Sequence, residues 1–175
     1  MIFRPIPITG AFLITLEPRV DSRGFFSRVY CKEEFADAGI VFELAQSNLA
    51  HTNLAGTVRG LHYQEAPRQE QKVVRCTAGA IFDVLVDMRE NSPSYRHHFH
   101  VRLDARNRDS LFIPSGVAHG YQALEDGTEV LYLTDEFYSP GLERGVRYND
   151  PSLNLPWPLT PRDVTERDQR WPLLA

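Results

Sequence analysis

The stretch Arg59-Gly60-Leu61-His62-Tyr63-Gln64 puts a guanidinium, an imidazole, a phenol and an amide into six residues of otherwise strand-like sequence. An imidazole, with a pKa of about 6.5, takes up and returns protons at neutral pH, so His62 is the first candidate for a general base. Gln71-Lys72-Val73-Val74-Arg75 opens a second β-rich run on a lysine, and residues 113–120 form a turn that delivers His119. With Tyr132, these groups suit metal-free acid/base chemistry on a carbon acidified by a neighbouring carbonyl. The histidine removes the proton, the tyrosine returns one from the opposite face, and Lys72 supplies positive charge where the enolate oxygen develops.

Read one at a time, the same residues have plainer explanations. A lone histidine in a β-rich chain is more often a hydrogen-bonded or exposed group than a catalyst. Lys72 alone reads as a surface lysine and Tyr132 as a half-buried core tyrosine. His97, His98 and His100 adjoin Tyr95 and Arg96 in a polar stretch, which marks a solvated strand end. A metal centre is the competing chemistry: Pro114-Ser115-Gly116-Val117-Ala118-His119 is similar to the second motif of the cupin superfamily, many of whose barrels hold a metal, with His62, His119 and Glu70 as its ligands here. The first cupin motif wants His-x-His, yet position 64 is Gln64, so a borderline metal loses an imidazole. No metal is therefore expected.

Strands must position these groups. With period-two alternation, Arg59, Leu61 and Tyr63 face one way and Gly60, His62 and Gln64 the other. Arg59 reaches the face of His62 only around an edge or through a bulge near Gly60. Residues 81–88 alternate most clearly, with Phe82, Val84, Val86 and Met88 on one apolar face, which sends Asp83 and Asp87 toward a cavity or solvent. Further runs at 98–103, 110–113, 117–124 and 128–134 have the spacing of an all-β sandwich or barrel, and a jelly roll is the fold expected. Residues 21–24 read as a turn, 25–30 as a β-prone run, and 32–38, closed by Gly39, as a short helix.

The 175 residues suit one domain, with strands in 1–30, a jelly-roll core at about 40–138 and a tail at 139–175. The tail carries Pro140, Pro151, Pro156, Pro158, Pro161 and Pro172. Its Trp157 and Trp171 are too large and apolar to stay in water, so it should wrap the barrel. A net charge of -4 without a basic stripe argues against nucleic-acid binding. Cys31 and Cys76 fit neither a zinc spacing nor a disulfide framework and read as inert thiols. With no targeting segment and no apolar stretch long enough to span a bilayer, a cytoplasmic protein without membrane contact is the expectation.

In order along the chain stand Arg23-Gly24-Phe25-Phe26, Gln46-Ser47-Asn48, residues 59–64, Lys72-Val73-Val74-Arg75-Cys76, Phe82-Asp83-Val84, the 114–120 turn, Tyr138-Ser139-Pro140 and Glu166-Arg167-Asp168. Together they resemble the dTDP-4-dehydrorhamnose 3,5-epimerase family over nearly the whole chain. The resemblance implies a homodimeric, all-β cupin-type jelly roll that epimerises C3 and C5 of a nucleotide-diphospho-4-keto-6-deoxysugar, with no redox cofactor and no metal. By position, His62 is similar to the base beside the C4 ketone and Asp168 to its carboxylate partner. Tyr132 matches the acid on the opposite face and Lys72 the stabiliser of the enolate. Arg59 and His119 match groups that contact the sugar or diphosphate, and Arg23, Gln46, Asn48, Glu143 and Arg167 are further substrate-binding candidates. Phe26 and Tyr138 match residues that hold the nucleotide base, and the 23–26 segment would reach the partner subunit's site. Arg28 stands where a glutamate is common and Ala50 where serine is frequent. A cytidine-linked sugar is thus the alternative carrier, and inversion at C3 alone or C5 alone the alternative outcome.

Overall fold

A computed structural model describes residues 1–174. In chain order the elements are β1 (Ile2–Pro5), β2 (Phe12–Thr15), β3 (Arg19–Asp21), β4 (Gly24–Phe26), α1 (Lys32–Asp37), β5 (Gln46–Thr52), β6 (Val58–Gln64) and β7 (Lys72–Ala78). They continue with β8 (Ala80–Asp87), β9 (His98–Asp104), β10 (Ser110–Ile113), β11 (Val117–Ala123), β12 (Thr128–Thr134), β13 (Glu143–Gly145) and α2 (Glu166–Arg170). Two antiparallel sheets make the body, one ordered β1-β2-β10-β7-β12-β5 and the other β13-β6-β11-β8-β9. Chain neighbours are seldom sheet neighbours, which is the jelly-roll pattern. A small ribbon of β3 and β4 stands apart from both sheets.

The alternation in β8 explains the layering. Ile81 and Leu85 point inward and meet Val74, Cys76, Leu111, Ile113, Tyr121 and Val130 in a core between the sheets. Val84 and Val86, with Phe82 and Met88, point outward and are covered by Leu153, Leu155, Trp157 and Leu174 of the C-terminal segment. The proline-rich tail therefore seals the outer face of the five-stranded sheet, and the Trp157 indole N–H donates to the Tyr148 carbonyl at 2.7 Å. A third cluster lies under α1, where Phe35 is fully buried and meets the rings of Phe3 and Tyr30 edge-on, both at 5.1 Å. That packing, together with Glu33 and Glu34 in the first turn, holds a helix too short to persist alone.

One sequence expectation is narrowed here and one corrected. Of the two surroundings expected for Asp83 and Asp87, a cavity or solvent, solvent is ruled out: both are wholly buried because the tail and the second sheet cover the two faces of β8, and Asp83 meets His119 of the cavity wall. Asp87 is held by Arg89, Ser92 and Ser94, which outweigh the cost of its burial and keep its carboxyl well below the usual range. The β-prone run from Phe25 ends at Phe26 instead of reaching Tyr30, whose ring packs under α1. Cys76 is buried, which pushes its thiol up to about 11 and leaves it protonated at neutral pH.

Candidate active site

Both sheets contribute to a cavity of about 250 Å³ at one end of the barrel. Arg59, Gly60 and His62 reach it from β6, His119 and Gly120 from β11, Lys72 from β7, Tyr132 from β12 and Ala50 from β5. Thr165, Arg167 and Asp168 of the tail complete the wall. Regular alternation would put Arg59 and His62 on opposite faces, and the structure shows what reconciles them. Against β11, His62 pairs with His119 and Arg59 with Tyr121, so β6 has one residue more than its partner across this step. Gly60 sits there with φ +106, and a Cβ on it would lie 2.6 Å from both Gly120 Cα and the His119 carbonyl oxygen. Only glycine allows this approach, and the bulge it permits turns the guanidinium and the imidazole into one cavity.

His62 Nε2 lies 2.6 Å from Asp168 Oδ1, although the two residues are 106 positions apart. Burial pushes the Asp168 carboxyl up, but the His62 hydrogen bond and charge, the Thr165 hydroxyl and the Arg167 cation prevail and hold it below its ordinary value. Asp168 sits in α2, whose N-cap Thr165 accepts from the Asp168 backbone N–H at 3.3 Å. Glu143 of β13 stands on the other side of the ring, its Oε1 3.6 Å from His62 Nδ1, and its Oε2 pairs with Arg167. The indole of Trp171 meets His62 edge-on at 6.1 Å.

A second histidine–carboxylate pair lies deeper. His119 Nε2 is 3.0 Å from Asp83 Oδ2, with both side chains buried. Burial dominates at Asp83 and raises its carboxyl above the usual value despite His119. The His119 ring meets that of Tyr132 at 5.9 Å. Burial also raises the Tyr132 phenol well above its ordinary value, so it is protonated throughout the neutral range and able to donate. Lys72 Nζ pairs with Glu70 at 2.8 Å.

These pairings bear on the metal alternative. Glu70 is taken by Lys72, and each histidine of the cavity by its own carboxylate. Gln64 is a buried clamp: its Oε1 accepts from Ser139 N at 2.6 Å, and its Nε2 donates to the carbonyls of Arg68 and Phe137 at 2.9 and 3.3 Å. Among the described residues no group of three or more His, Cys, Asp or Glu side chains is arranged to hold a metal ion.

The remaining candidates fall into two sets. Gln46 accepts from the Tyr138 backbone N–H at 3.0 Å, Tyr138 donates to Glu143 at 3.4 Å, and Asn48 pairs with Tyr132 across β5 and β12. Gln46, Asn48, Tyr138 and Glu143 do not line the cavity itself, but Asn48 adjoins Tyr132 in the sheet and Glu143 contacts His62 and Arg167 of its wall. Arg23 and Phe26 do not come to it: Arg23 is exposed at the tip of the β3–β4 ribbon, paired with Asp21, and Phe26 faces a separate cavity with Arg28. Arg28 itself pairs with Glu34 at 2.9 Å. His97 and His100 are exposed, as a strand end requires, while His98 is half-buried. Thr165 carried no signal of its own in the sequence, Trp171 was marked only as a group that the tail must bury, and Asp83 only as a carboxylate directed toward a cavity or solvent. For Asp83 the alternation of β8 held the clue, since a carboxylate between Ile81 and Leu85 on a core-facing row must have a partner.

Comparison with known proteins agrees with this arrangement. Residues 5–175 match the family described as dTDP-4-dehydrorhamnose 3,5-epimerase. A dTDP-4-dehydrorhamnose 3-epimerase of Streptomyces niveus is 40% identical over 176 residues, covering 100% of this chain and 84% of that relative. A dTDP-4-dehydrorhamnose 3,5-epimerase of Shigella flexneri is 40% identical over 159 residues, covering 89% of this chain and 87% of that relative. The crystal structure of dTDP-4-dehydrorhamnose 3,5-epimerase from Bacillus anthracis, with TDP and PPi bound, superposes with a TM-score of 0.91 at 38% identity, covering 95% of each chain. With a family match over residues 5–175 and a solved structure that superposes over nearly the whole chain, the chain belongs to the dTDP-4-dehydrorhamnose 3,5-epimerase family, a family of isomerases on the cupin-type jelly roll.

Proposed function

We propose that this chain inverts C3 and C5 of a dTDP-linked 4-keto-6-deoxyhexose by proton abstraction and return beside the C4 ketone. The observation that carries the reading is the 2.6 Å His62–Asp168 contact in a cavity that also holds Tyr132 and Lys72. With Nε2–H given to Asp168, His62 presents Nδ1 as the basic nitrogen, and the two flanking carboxylates favour the imidazolium that forms. Lys72 supplies charge to the enolate oxygen, and Tyr132, protonated at neutral pH, delivers the new C–H proton from its side of the sugar. Arg59, His119 and Arg167 surround the same space and suit an anionic, hydroxyl-rich ligand.

The active form is a homodimer in this reading. In one chain Val20 is 76% and Phe26 70% exposed on the β3–β4 ribbon, and Leu49 is 60% exposed on the edge strand β5. A second copy would cover these apolar groups and bring Arg23 and Phe26 to a neighbouring cavity. No described helix is long and apolar enough to cross a membrane, and the cytoplasm, where nucleotide sugars are made, is the proposed location. Inversion at C3 alone is the second reading, favoured by the Streptomyces niveus relative.

Proton NMR in deuterium oxide with dTDP-4-keto-6-deoxyglucose tests this directly. Loss of signal at both H3 and H5, abolished in His62→Ala, is the expected result. Loss at H3 only would assign the single-centre reaction, and silence at both positions with a folded protein would refute the reading for this nucleotide.

A further inference from the structure

Arg59 is held by one edge. Its Nε donates to Thr52 Oγ1 at 3.1 Å and its Nη2 to the His51 carbonyl at 2.9 Å. Nε and Nη2 lie side by side on the guanidinium, so these bonds occupy its side edge. The fork formed by Nη1 and the second Nη2 hydrogen has no partner among the described residues. His51 and Thr52 line an adjoining cavity of about 390 Å³ and not the catalytic one, whereas Arg59 and Thr165 line both. The anchored edge is therefore the one turned from the catalytic cavity. Asp163 also lines the adjoining cavity, so a guanidinium without its anchor has a carboxylate there to turn to. Thr52 is itself fixed. It ends β5 and is 1% exposed, and its Oγ1 lies 3.1 Å from the hydroxyl of the wholly buried Tyr121. A hydroxyl oxygen has two lone pairs, so whichever of the two groups donates, Thr52 keeps one for Arg59. The Gly60 bulge brings the three together, since it sets Arg59 opposite Tyr121 in the register of β6 with β11. Valine has the shape of threonine without a hydroxyl to desolvate, so packing alone does not call for Thr52.

We propose that Thr52 is a positioning residue for Arg59: its hydroxyl, steadied by Tyr121, takes the side edge of the guanidinium and so presents the Nη1–Nη2 fork to the diphosphate of the substrate. The role rests on the epimerase reading above, in which Arg59 meets the anionic ligand. Two parallel N–H groups match two oxygens of a phosphate, and the match is lost when the guanidinium turns about its Cδ–Nε bond. His51 contributes only a backbone carbonyl, which any residue would supply. Of the two anchoring contacts, that of Thr52 alone depends on the side chain.

The test compares wild type, Thr52→Val, Thr52→Ser and Arg59→Ala with dTDP-4-keto-6-deoxyglucose. Thr52→Val raises KM about tenfold, the factor carried by one hydrogen bond to a charged group at the low end of its range. Its kcat changes less than about threefold, because the lost contact serves substrate and transition state alike. Thr52→Ser keeps the hydroxyl and stays within about twofold of wild type. Thr52→Val added to Arg59→Ala raises KM no further, since its effect runs through the guanidinium. A merely structural threonine would lower the melting temperature and leave KM in place. Should Thr52→Val not fold, Thr52→Ala carries the same comparison. Calorimetric titration with dTDP reads the role without turnover, and Kd weakens about tenfold in Thr52→Val. Unchanged KM and Kd in Thr52→Val, Thr52→Ser no better than Thr52→Val, or a full further rise in the Arg59→Ala background overturns the role and leaves the epimerase reading intact. A wild-type protein that exchanges hydrogen at neither sugar carbon sinks the epimerase reading, and the dTDP titration then decides the role by itself.

Discussion

Replacing Asp168 by Asn removes one charge and little else. The amide oxygen can still accept from His62 Nε2, and the Thr165 cap bonds the backbone N–H, which the change leaves in place. What is lost is the interaction of a carboxylate with the imidazolium formed when His62 takes the substrate proton. The Asp168 side chain is 3% exposed and the contact is 2.6 Å, so water screens it little. A hydrogen bond to a charged group contributes about 1.5–3 kcal/mol, which predicts a loss of roughly 10- to 150-fold in exchange rate. The full attraction of two unit charges 4 Å apart in a partly solvated site, about 4 kcal/mol, sets an upper bound near 10³-fold. Proton NMR in deuterium oxide reads this as slowed washout at both sugar positions, with substrate binding retained. A second consequence follows from linkage. The folded-state carboxyl of Asp168 titrates below its ordinary value, so its stabilising contribution is complete above about pH 4 and is lost as pH falls through the depressed value. Denaturant unfolding of Asp168→Asn should therefore lose stability less steeply than wild type below about pH 4. Exchange within twofold of wild type would refute the proposed base pair outright.

Tyr132→Phe should keep His62-driven exchange but lose inversion by about 10²-fold or more, the usual yield of a positioned acid; equal losses of both would show that the phenol serves binding instead. Gly145→Ala puts a Cβ 2.2 Å from the Trp171 indole, so the ring must leave its place against His62, and overpacking of this kind costs about 1–3 kcal/mol in unfolding free energy. Adding Trp171→Ala to that variant should restore part of the stability on thermal melting, whereas no recovery would mean that the glycine serves something other than the indole. Gln64→Ala strips partners from the Ser139 N–H and the Arg68 and Phe137 carbonyls, with an expected loss of about 1–3 kcal/mol. Because that loop carries Tyr138, KM should rise more than kcat falls.

How far the sequence reached depended on whether a residue's partner lay on the same strand or across the fold. The jelly roll was legible because its strands are short, alternating and evenly spaced, and the runs at 110–113 and 128–134 coincide with β10 and β12. A bulge near Gly60 was one of the two ways, with a sheet edge, by which Arg59 was expected to reach the face of His62, because alternation alone separates them, and the bulge is the one found. Periodicity did not single out the catalytic candidates: nothing local marks Lys72 or Tyr132, and it was the family resemblance that tied each to a particular role. For Asp83 and Asp87 the sequence could not choose between a cavity and solvent, for a definite reason. Alternation gives the side of a strand, but whether that side is wet depends on what covers it, and the cover of β8 comes from β7, β10, β12 and the tail. The buried contact between the Thr52 and Tyr121 hydroxyls could not be read at all, since the two residues lie 69 positions apart and meet only across the fold.

The two histidine–carboxylate pairs of the cavity differ in how they are held, and the difference bears on what each can do. His119 and Asp83 sit on adjacent strands, β11 and β8, so their contact is fixed by sheet register and exists wherever the barrel is formed. His62 and Asp168 have no such guarantee. A five-residue helix cannot hold itself, and α2 is placed by what surrounds it. Arg147 donates twice to the Gln169 carbonyl, Arg162 bridges to Thr57 beside the start of β6, and buried Gln122 clamps the Leu159 backbone at both its N–H and its carbonyl. Trp171 then seats against Gly145. Arg147 braces α2 from within the tail, while the Thr57, Gln122 and Gly145 contacts join the tail to the five-stranded sheet that carries His62 or to the residue before it, so the carboxylate arrives at the imidazole only when the tail lies down. The buried Asp83 carboxyl, raised by its surroundings, sits behind His119, and the depressed Asp168 carboxyl sits against His62. Of the two, a carboxylate held below its ordinary value is the better partner for an imidazolium, which supports the proposed assignment of proton abstraction to the pair that the tail completes.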